Sequence, residues 1–271
     1  MEKTALRLCD AVSLDIEKTF ECGQCFRWNR EINGAYHGVV CGYPARVWTE
    51  GGGVYITSDA PEKLWTEYFD LETDYAEVSE SFCVGDYLCE CTEYGMGIRI
   101  LRQDGWEALC SFVISQCNNI PRIKGIVERL CLNFGDRLVF EGREYYSFPT
   151  AERIAALTSE ELSVIRSGYR ADYIICAAKA VVSGELDLDA LRACDYKEAI
   201  RKLRRIRGIG EKVANCVVLF GLGHMEAFPV DVWMKRALKE HFPPDFKPET
   251  LGAYAGLAQQ YIFYHARSEE K

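Results

Sequence analysis

Residues 206–216 read IRGIGEKVANC, and beyond an apolar segment residues 229–232 read PVDV. Gly208 and Gly210 predict a tight hairpin turn, because glycine reaches positive φ without steric cost. A helix is expected directly after this turn, so the free backbone N–H groups of its first turn point outward. Such a helix end is an anion site, and a phosphate is its natural ligand. The segment therefore predicts a hairpin that binds phosphate.

Two side chains in this segment carry chemistry. Lys212 lies in the first turn of the predicted helix, and Asp231 follows 19 residues later, after a proline. A neutral lysine amine is a nucleophile, and desolvation and nearby positive charges both favour the neutral form. Two alternatives stay open: Lys212 can be a surface residue bound to phosphate, and Asp231 can be the N-cap of the helix that it precedes.

The charge of the chain is unevenly distributed. The net charge is −9, and residues 1–105 contain 9 Lys and Arg against 19 Asp and Glu. Residues 200–240 contain 9 basic against 4 acidic residues, most of the basic ones around the hairpin. Nucleic-acid binding depends more on a local basic surface than on a positive net charge of the whole chain. We therefore expect the hairpin segment to face DNA.

The composition excludes several classes of protein. No apolar run of the 271 residues is long enough to span a membrane, and the N-terminus does not resemble a secretory signal. The 13 cysteines are scattered, mostly in apolar segments, which predicts free thiols in a reducing compartment. We expect a cytoplasmic protein, or a nuclear one if the source is eukaryotic, that is neither secreted nor membrane-bound. Cysteine pairs at 22/25 and 89/91 lack a second pair at zinc-ligand spacing, so no zinc site is predicted.

The pattern of elements predicts an α+β fold. Short β-favouring runs at 36–41, 46–49 and 54–57 are separated by turn residues, and three glycines at 51–53 read as a hairpin loop. From residue 104 onward the pattern is helical, starting with a buried helix from residue 106. We predict an N-terminal antiparallel sheet domain at 1–104 and a helical domain of two subdomains at 105–271. Further helices are expected at about 121–134, 151–166, 170–183, 196–205, 211–222, 231–241 and 250–265, with the hairpin at about 203–215.

Several further sequence motifs, together with the hairpin, cover nearly the whole chain. They read CGQCFRW from residue 22, RQD from 102, SFVISQCNNIPR from 111, GYRA from 168, KVANC from 212, PVDV from 229 and YAGLAQ from 254. In this order they resemble the 8-oxoguanine DNA glycosylases of the helix-hairpin-helix DNA glycosylase superfamily. The resemblance implies a base-excision repair enzyme that acts on 8-oxoguanine in duplex DNA, with a bundle of helices behind the sheet.

The resemblance implies a chemistry for both side chains of the hairpin segment. A glycosylase must take the base out of the stack before it can act on the sugar. Lys212 matches a lysine that attacks C1′ and forms a Schiff base, and Asp231 matches an aspartate that stabilises the positive charge on the sugar. The Schiff base acidifies the 2′ hydrogen, so β-elimination then nicks the strand. The implied activity is that of a DNA N-glycosylase and AP lyase.

Four further residues match the family's base pocket. Lys212 and Cys216 share one helix face at i,i+4, and Gln259 and Phe263 repeat that spacing on the last helix. The resemblance implies that Cys216 and Phe263 sandwich the oxidised base, and that Gln259 and Gly23 bond its edge. The Gly23 carbonyl would accept from N7–H, which 8-oxoguanine has and guanine lacks. Taken singly, Cys216 and Phe263 are better explained as core residues than as ligands, so the pocket assignment depends on the joint pattern.

The resemblance also assigns residues to DNA distortion and to the opposite base. Asn118, Asn119 and Tyr169 match the loop and the wedge that unstack the duplex, as inserted aromatic side chains generally do. Arg122 and Arg170 match arginines that hold the orphaned cytosine, with phosphate contacts as the alternative.

Three positions depart from the family pattern. Cys117 replaces the first of three asparagines, which puts the preference for an opposite cytosine in doubt. Trp233 replaces a histidine near the lesion phosphate, and Arg207 replaces a proline in the hairpin; both change DNA contacts more than chemistry.

No cofactor is implied, and no iron–sulfur cluster is expected because no cysteine follows Cys216. A structural metal ion at the hairpin is implied, held by the backbone carbonyls of Arg204, Ile206 and Ile209. The expected partner is double-stranded DNA containing 8-oxoguanine, bound by a monomer. The alternatives are a helix-hairpin-helix glycosylase for another damaged base and a DNA-binding module without activity.

Overall fold

The N-terminal part is built around one antiparallel sheet. The computed structural model describes residues 5–83 and 85–268. The sheet has five strands in the order β1-β5-β4-β3-β2. The strands are β1 (Leu6–Asp10), β2 (Asn29–Arg30), β3 (Tyr36–Val40), β4 (Tyr43–Glu50) and β5 (Gly53–Ser58). The three predicted strands are confirmed as β3, β4 and β5, and β1 and β2 are additional edge strands.

The turn between β4 and β5 explains the glycines at 51–53. Gly51 and Gly52 have φ of +55° and +81°, a conformation that residues with a Cβ rarely adopt. This turn sets a register that places Val47 opposite Ile56, with both side chains buried in the core of the sheet domain. Trp28, Tyr36 and Trp65 complete that core.

The helices form a bundle that follows the sheet in sequence, as predicted, except that the first two pack against the sheet. They are α1 (Ile16–Glu21), α2 (Glu62–Tyr68), α3 (Tyr75–Phe82), α4 (Asp86–Gly95), α5 (Gly105–Ile114), α6 (Ile120–Phe134), α7 (Ala151–Ala155), α8 (Ser159–Leu162), α9 (Arg170–Val182), α10 (Leu188–Ala193), α11 (Tyr196–Leu203), α12 (Glu211–Phe220), α13 (Val232–His241) and α14 (Ala255–Ser268). Helix α5 is the predicted central helix, and Asp104 caps it. The division of the chain into domains at residue 104 stays a prediction.

Three helix predictions need correction. Two strands, β6 (Arg137–Phe140) and β7 (Arg143–Tyr146), form a small hairpin inside the region predicted as helical. The helix predicted at 151–166 is two short helices and a 3-10 turn, because Thr158 starts a new helix with a capping box. The last helix starts at residue 255, because a 3-10 segment (Pro248–Tyr254), interrupted at Gly252 with φ of +77°, precedes it.

The loop after α1 joins the two parts of the molecule. Cys22 and Phe26 belong to the large apolar core of the helical bundle, although they lie between the strands β1 and β2 in sequence. The ring of Phe26 packs edge-on against Phe112 of α5 at 5.8 Å between centroids. The loop that carries Gly23 is therefore fixed against the bundle.

The cysteines differ in part from the expectation of free thiols. Cys83 and Cys89 are joined in a disulfide, and within the described residues the other cysteines are in no disulfide. This pair links α3 to α4, and the sequence pattern did not single it out. In the described ranges, no helix is both long and apolar enough to cross a membrane.

Candidate active site

The hairpin joins α11 to α12 through backbone hydrogen bonds. The Ile206 N–H donates to the Leu203 carbonyl, and the Ile209 N–H donates to the Ile206 carbonyl, each at 3.1 Å. Gly208 has φ of +90°, as predicted. Gly210 corrects the prediction, because its φ is −88° and any residue could adopt it. Its role must lie in its small size.

Gly208 is held from two sides. A Cβ at this residue would lie 2.2 Å from Cγ of Tyr173, so the tyrosine ring lies directly against the glycine. Gln116 Nε2 donates to the Gly208 carbonyl at 3.1 Å. The conformation of the turn is therefore determined by contacts with α9 and with the end of α5. Neither Tyr173 nor Gln116 was predicted as a site residue from the sequence.

Gly210 leaves the start of α12 open. It is the N-cap residue, it offers no side chain to the first-turn N–H groups, and a Cβ there would meet nothing within 4 Å. The surrounding surface is basic, since Arg201, Arg205 and Arg207 are exposed. Free N–H groups, an open approach and local positive charge are the requirements of a phosphate site.

Lys212 lies half-buried in the first turn of α12. Its Nζ donates to Ser115 Oγ at 3.2 Å and lies 5.5 Å from the centre of the Phe112 ring. Cys216 follows one turn later and is 3% exposed. Burial raises the pKa of the Cys216 thiol, while the charge and hydrogen bond of Lys212 oppose that rise. The amine and the thiol are thus neighbours on one face, as the spacing predicted.

Asp231 is the N-cap of α13. Its Oδ1 accepts from the Met234 N–H at 2.9 Å, which is the capping role left open by the sequence. A carboxylate has a second oxygen, so capping does not prevent Asp231 from facing a positive charge. Asp231 lies close enough to Cys216 to raise the pKa of that thiol. Asp231 and Lys212 therefore border the same site.

A large cavity opens beside Lys212. It has a volume of about 840 Å³ and lies between α11, α12 and the segment that leads to α13. Basic side chains of Arg201, Arg205 and Lys235 line it. The predicted base pocket lies elsewhere, because Gly23, Cys216, Gln259 and Phe263 are not among the residues of this cavity.

Helix α14 presents two of the predicted pocket residues. Gln259 is 4% exposed, and its Oε1 is buried with no hydrogen-bond partner in the described part of the chain. Phe263 is partly buried, and a Cβ at Gly23 would lie 3.5 Å from its Cε1. Gly23 itself has φ of +85°. The structure thus brings Gly23 and Phe263 together, with an unsatisfied amide oxygen one turn earlier on α14.

Three glutamines missed by the sequence analysis fix the loop of Gly23. The buried Gln24 side chain bonds the backbone of Thr19, Arg99 and Leu101 at 2.8–3.0 Å. Gln103 donates to the Gln24 carbonyl at 2.8 Å, and Gln260 donates to the Cys22 carbonyl at 3.0 Å. These bonds hold the peptides on both sides of Gly23. The only sequence signal was a glutamine inside an apolar segment.

The loop between α5 and α6 carries the predicted wedge asparagines. Asn118 donates to the Ile114 carbonyl at 3.0 Å, and Asn119 caps α6 by accepting from the Arg122 N–H. Arg122 is exposed, and its Nη1 bonds Asn118 Oδ1 at 3.3 Å. Cys117 is exposed at the tip with φ of +46°. In the DNA-free structure both asparagines thus shape the loop.

Tyr169 and Arg170 begin α9 and differ in exposure. Tyr169 is 52% exposed and packs edge-on against Tyr173 at 5.6 Å between centroids. Arg170 is 3% exposed, and its guanidinium donates to the carbonyls of Gln116, Cys117 and Ser167. The structure does not place Arg170 at the surface, so its contact with an opposite cytosine requires it to release these carbonyls.

The predicted metal site is formed only by backbone. The Ile206 carbonyl already accepts from Ile209 within the turn, and the carbonyls of Arg204 and Ile209 flank it in sequence. Arg204 also pairs with Glu211 across the hairpin at 2.6 Å. Within residues 5–83 and 85–268, no group of three or more His, Cys, Asp or Glu side chains could hold a metal ion.

Comparison with known proteins agrees with this geometry. Residues 7–109 match the model of the 8-oxoguanine DNA glycosylase N-terminal domain, and residues 110–253 match that of the HhH-GPD superfamily of base excision DNA repair proteins. The chain belongs to the 8-oxoguanine DNA glycosylase family. It is therefore a base-excision DNA repair glycosylase with the two-part fold that the sequence predicted.

The relatives support this assignment over the full chain. The N-glycosylase/DNA lyase OGG1 of Arabidopsis thaliana is 30% identical, over 92% of this chain and 76% of the plant protein. The 8-oxoguanine glycosylase/lyase of Clostridium acetobutylicum, solved with DNA containing cytosine opposite 8-oxoguanine, superposes with a TM-score of 0.89 at 33% identity and covers all of both chains. A structure of MBOgg1 with a low-affinity DNA ligand gives a TM-score of 0.93 at 38% identity, over 100% of this chain and 98% of that one.

Proposed function

We propose that this glycosylase removes 8-oxoguanine from duplex DNA through a Schiff base on Lys212 and then nicks the strand by β-elimination. The observation that carries the proposal is the position of the Lys212 amine. It lies at the start of α12, between the open hairpin and Cys216, with its Nζ held by Ser115 Oγ at 3.2 Å. An amine held at a phosphate-binding helix end is directed at the sugar attached to that phosphate.

The remaining pocket residues have complementary roles in this proposal. Phe263 and Cys216 enclose the faces of the everted base, and the raised pKa of the thiol keeps Cys216 neutral in that contact. The unsatisfied Gln259 Oε1 accepts from the base edge, which removes the cost of leaving it unpaired. The Gly23 carbonyl accepts from N7–H and so selects the oxidised base.

Catalysis then follows from two side chains. The Lys212 amine attacks C1′ as the C1′–N9 bond breaks, and the base leaves with that electron pair and is protonated. Asp231 stabilises the positive charge on the sugar. The sugar ring then opens: the C1′–O4′ bond breaks, O4′ takes up a proton, and the lysine nitrogen and C1′ form the Schiff base. The Schiff base acidifies the 2′ hydrogen, and loss of this proton breaks the C3′–O3′ bond and expels the 3′ phosphate. Lys212 supplies the nucleophile, so the proposed chemistry requires no cofactor. A metal ion held at the hairpin by the carbonyls of Arg204, Ile206 and Ile209 would have a structural role only.

The exposed Arg122 is the better placed of the two arginines for the opposite base. Its fork of donors matches the O2 and N3 acceptors of cytosine, whereas thymine presents a donor at N3. Cys117 lacks the amide that relatives place there. We therefore expect a preference for cytosine of about 1–3 kcal/mol, weaker than that of a full asparagine run. Tyr169 is the proposed wedge, because its ring is exposed beside the loop between α5 and α6.

A lesion panel tests the proposal. Duplexes carrying 8-oxoguanine, 3-methyladenine, thymine glycol or an abasic site are each paired with the four opposite bases, and excision and nicking are followed separately. We expect 8-oxoguanine opposite cytosine to be cut fastest, with a β-elimination product. The variant Cys117→Asn should sharpen the cytosine preference and Arg122→Ala should flatten it. Faster excision of another lesion would support the alternative glycosylase, and binding without excision would support the module without activity.

A further inference from the structure

One face of α14 continues beyond the proposed pocket residues. Gln259, Phe263 and Arg267 are spaced at i, i+4 and i+8, so they lie along one side of the helix. The two ends of this row are about 12 Å apart at 1.5 Å per residue. Gln259 lies at one end and Arg267 at the other. A base held against Phe263 is therefore flanked by an amide on one side and a guanidinium on the other.

Arg267 lies at the Gly23 end of this row. A Cβ at Gly23 would be 3.6 Å from Arg267 Nη1 and 3.5 Å from Phe263 Cε1. The Arg267 guanidinium also lies 5.3 Å from the centre of the Phe263 ring. Gly23, Phe263 and Arg267 thus meet at one corner. Because Gly23 is the proposed acceptor for N7–H, this corner faces the five-membered ring of the purine.

The guanidinium has an unused donor at that corner. Arg267 Nη1 is buried and has no hydrogen-bond partner among the residues that the structure describes. Leaving a charged donor buried and unpaired is unfavourable, and the cost disappears when a ligand supplies an acceptor. The corner therefore combines a backbone acceptor at Gly23 with a charged donor at Arg267.

We propose that Arg267 donates a hydrogen bond to O8 of the everted base. The inference rests on the proposed function and adds a second contact to the same edge. The urea-like edge of 8-oxoguanine presents the N7–H donor beside the O8 acceptor, and guanine lacks both. The Gly23 carbonyl accepts from the N7–H donor, and the Arg267 guanidinium donates to the O8 acceptor. Discrimination against guanine then rests on two adjacent contacts, one of them strengthened by charge.

The proposal predicts which ligands depend on Arg267. 8-Oxoadenine carries the same N7–H and O8 edge but a different Watson–Crick edge. Loss of Arg267 should therefore weaken the binding of duplexes containing 8-oxoguanine and of duplexes containing 8-oxoadenine by the same factor. Guanine and a tetrahydrofuran abasic analogue lack O8, so their binding should be unchanged. A supporting role for Arg267 behind Phe263 would weaken all base-containing ligands together.

The experiment measures the binding of these four duplexes to Lys212→Gln protein, in which excision is expected to be blocked, with and without Arg267→Met. We expect a loss of about 10- to 100-fold for both 8-oxopurines, the range for a hydrogen bond to a charged group, and less than twofold for guanine and the abasic analogue. Gln259→Leu is the matched control on the same helix face. It should change the ratio of the affinities for 8-oxoguanine and 8-oxoadenine duplexes. Arg267→Met should leave that ratio unchanged.

The outcomes separate this inference from the proposed function. If the wild-type protein excises 8-oxoguanine no faster than guanine, the proposed function fails. If it does excise 8-oxoguanine selectively, and Arg267→Met weakens every duplex equally or none, the contact to O8 is refuted. Melting temperature and abasic binding report on folding. Should Arg267→Met not fold, Arg267→Lys decides: it keeps the charge on a shorter donor, and an affinity for 8-oxopurines equal to that of the parent would overturn the proposal.

Discussion

The two hairpin glycines should respond oppositely to the same substitution. Gly208→Ala introduces a Cβ that would lie 2.2 Å from Tyr173 Cγ and 2.6 Å from its Cδ1, at a residue with φ of +90°. Gly210→Ala introduces a Cβ that meets nothing within 4 Å, at φ of −88°. The pair thus separates the role of the turn in folding from the role of the open helix end in DNA binding.

The expected magnitudes follow from these contacts. The unfavourable φ costs about 1–3 kcal/mol, and overpacking against the tyrosine ring costs a further 1–3 kcal/mol or so. At about 2–4 °C per kcal/mol, Gly208→Ala should lower the melting temperature by roughly 10 °C. Gly210→Ala should leave it unchanged or raise it slightly, because alanine reduces the entropy of the unfolded chain. It should nevertheless weaken DNA binding, since its methyl group occupies the approach to the N–H groups.

Calorimetry and DNA titration of the two variants provide the test. Tyr173→Ala in the Gly208→Ala background should recover the overpacking part of the loss while the backbone strain remains. If the melting temperature of Gly208→Ala equals that of the wild-type protein, Tyr173 does not determine the conformation of the turn. If Gly210→Ala binds DNA normally, no phosphate approaches the start of α12 as closely as we infer.

Three further predictions concern chemistry, DNA binding and pH. Asp231→Asn should keep the cap on α13 and DNA binding but slow base excision by about 10²–10³, as loss of an aligned electrostatic group does; single-turnover rates near the wild-type rate would contradict this. DNA affinity should fall by roughly 0.9 log unit per log unit of salt for each phosphate neutralised, and an affinity independent of salt would show that residues 200–240 do not face DNA. Burial raises the pKa of Glu107 to about 7, although Arg27 lies 3.5 Å away and opposes the rise. Its contribution to stability should therefore be full below about pH 4.5 and lost as the pH rises through 7; Glu107→Gln should flatten this dependence in denaturant titrations, and an unchanged profile would exclude Glu107 as the cause.

Local sequence determined what could be predicted about the hairpin. The positive φ of Gly208 is predictable because a glycine in a short turn is visible in a few consecutive residues, whereas the negative φ of Gly210 was not predicted. The spacing of Lys212 and Cys216 likewise follows from helix geometry. The N-terminal sheet followed by helices was predictable because its alternating pattern and glycine turns are also local.

Contacts between distant segments explain what the sequence did not show. Gln24 fixes the Gly23 loop through the backbone of residues 99 and 101, which are about 75 positions away in the chain. Tyr173 on α9 and Gln116 in the turn after α5 fix Gly208. The inward orientation of Arg170 depends on carbonyls that only the folded α5–α6 loop presents. No pattern within a single segment reports such contacts.

The most direct test of the account is covalent trapping at Lys212. Borohydride added during turnover reduces a Schiff base to a stable amine, so the protein becomes linked to DNA containing 8-oxoguanine. The account predicts that wild-type protein is trapped, that the linked residue in a peptide map is Lys212, and that Lys212→Gln binds the same DNA without being trapped. Normal trapping of Lys212→Gln, or a link to a different lysine, would contradict it.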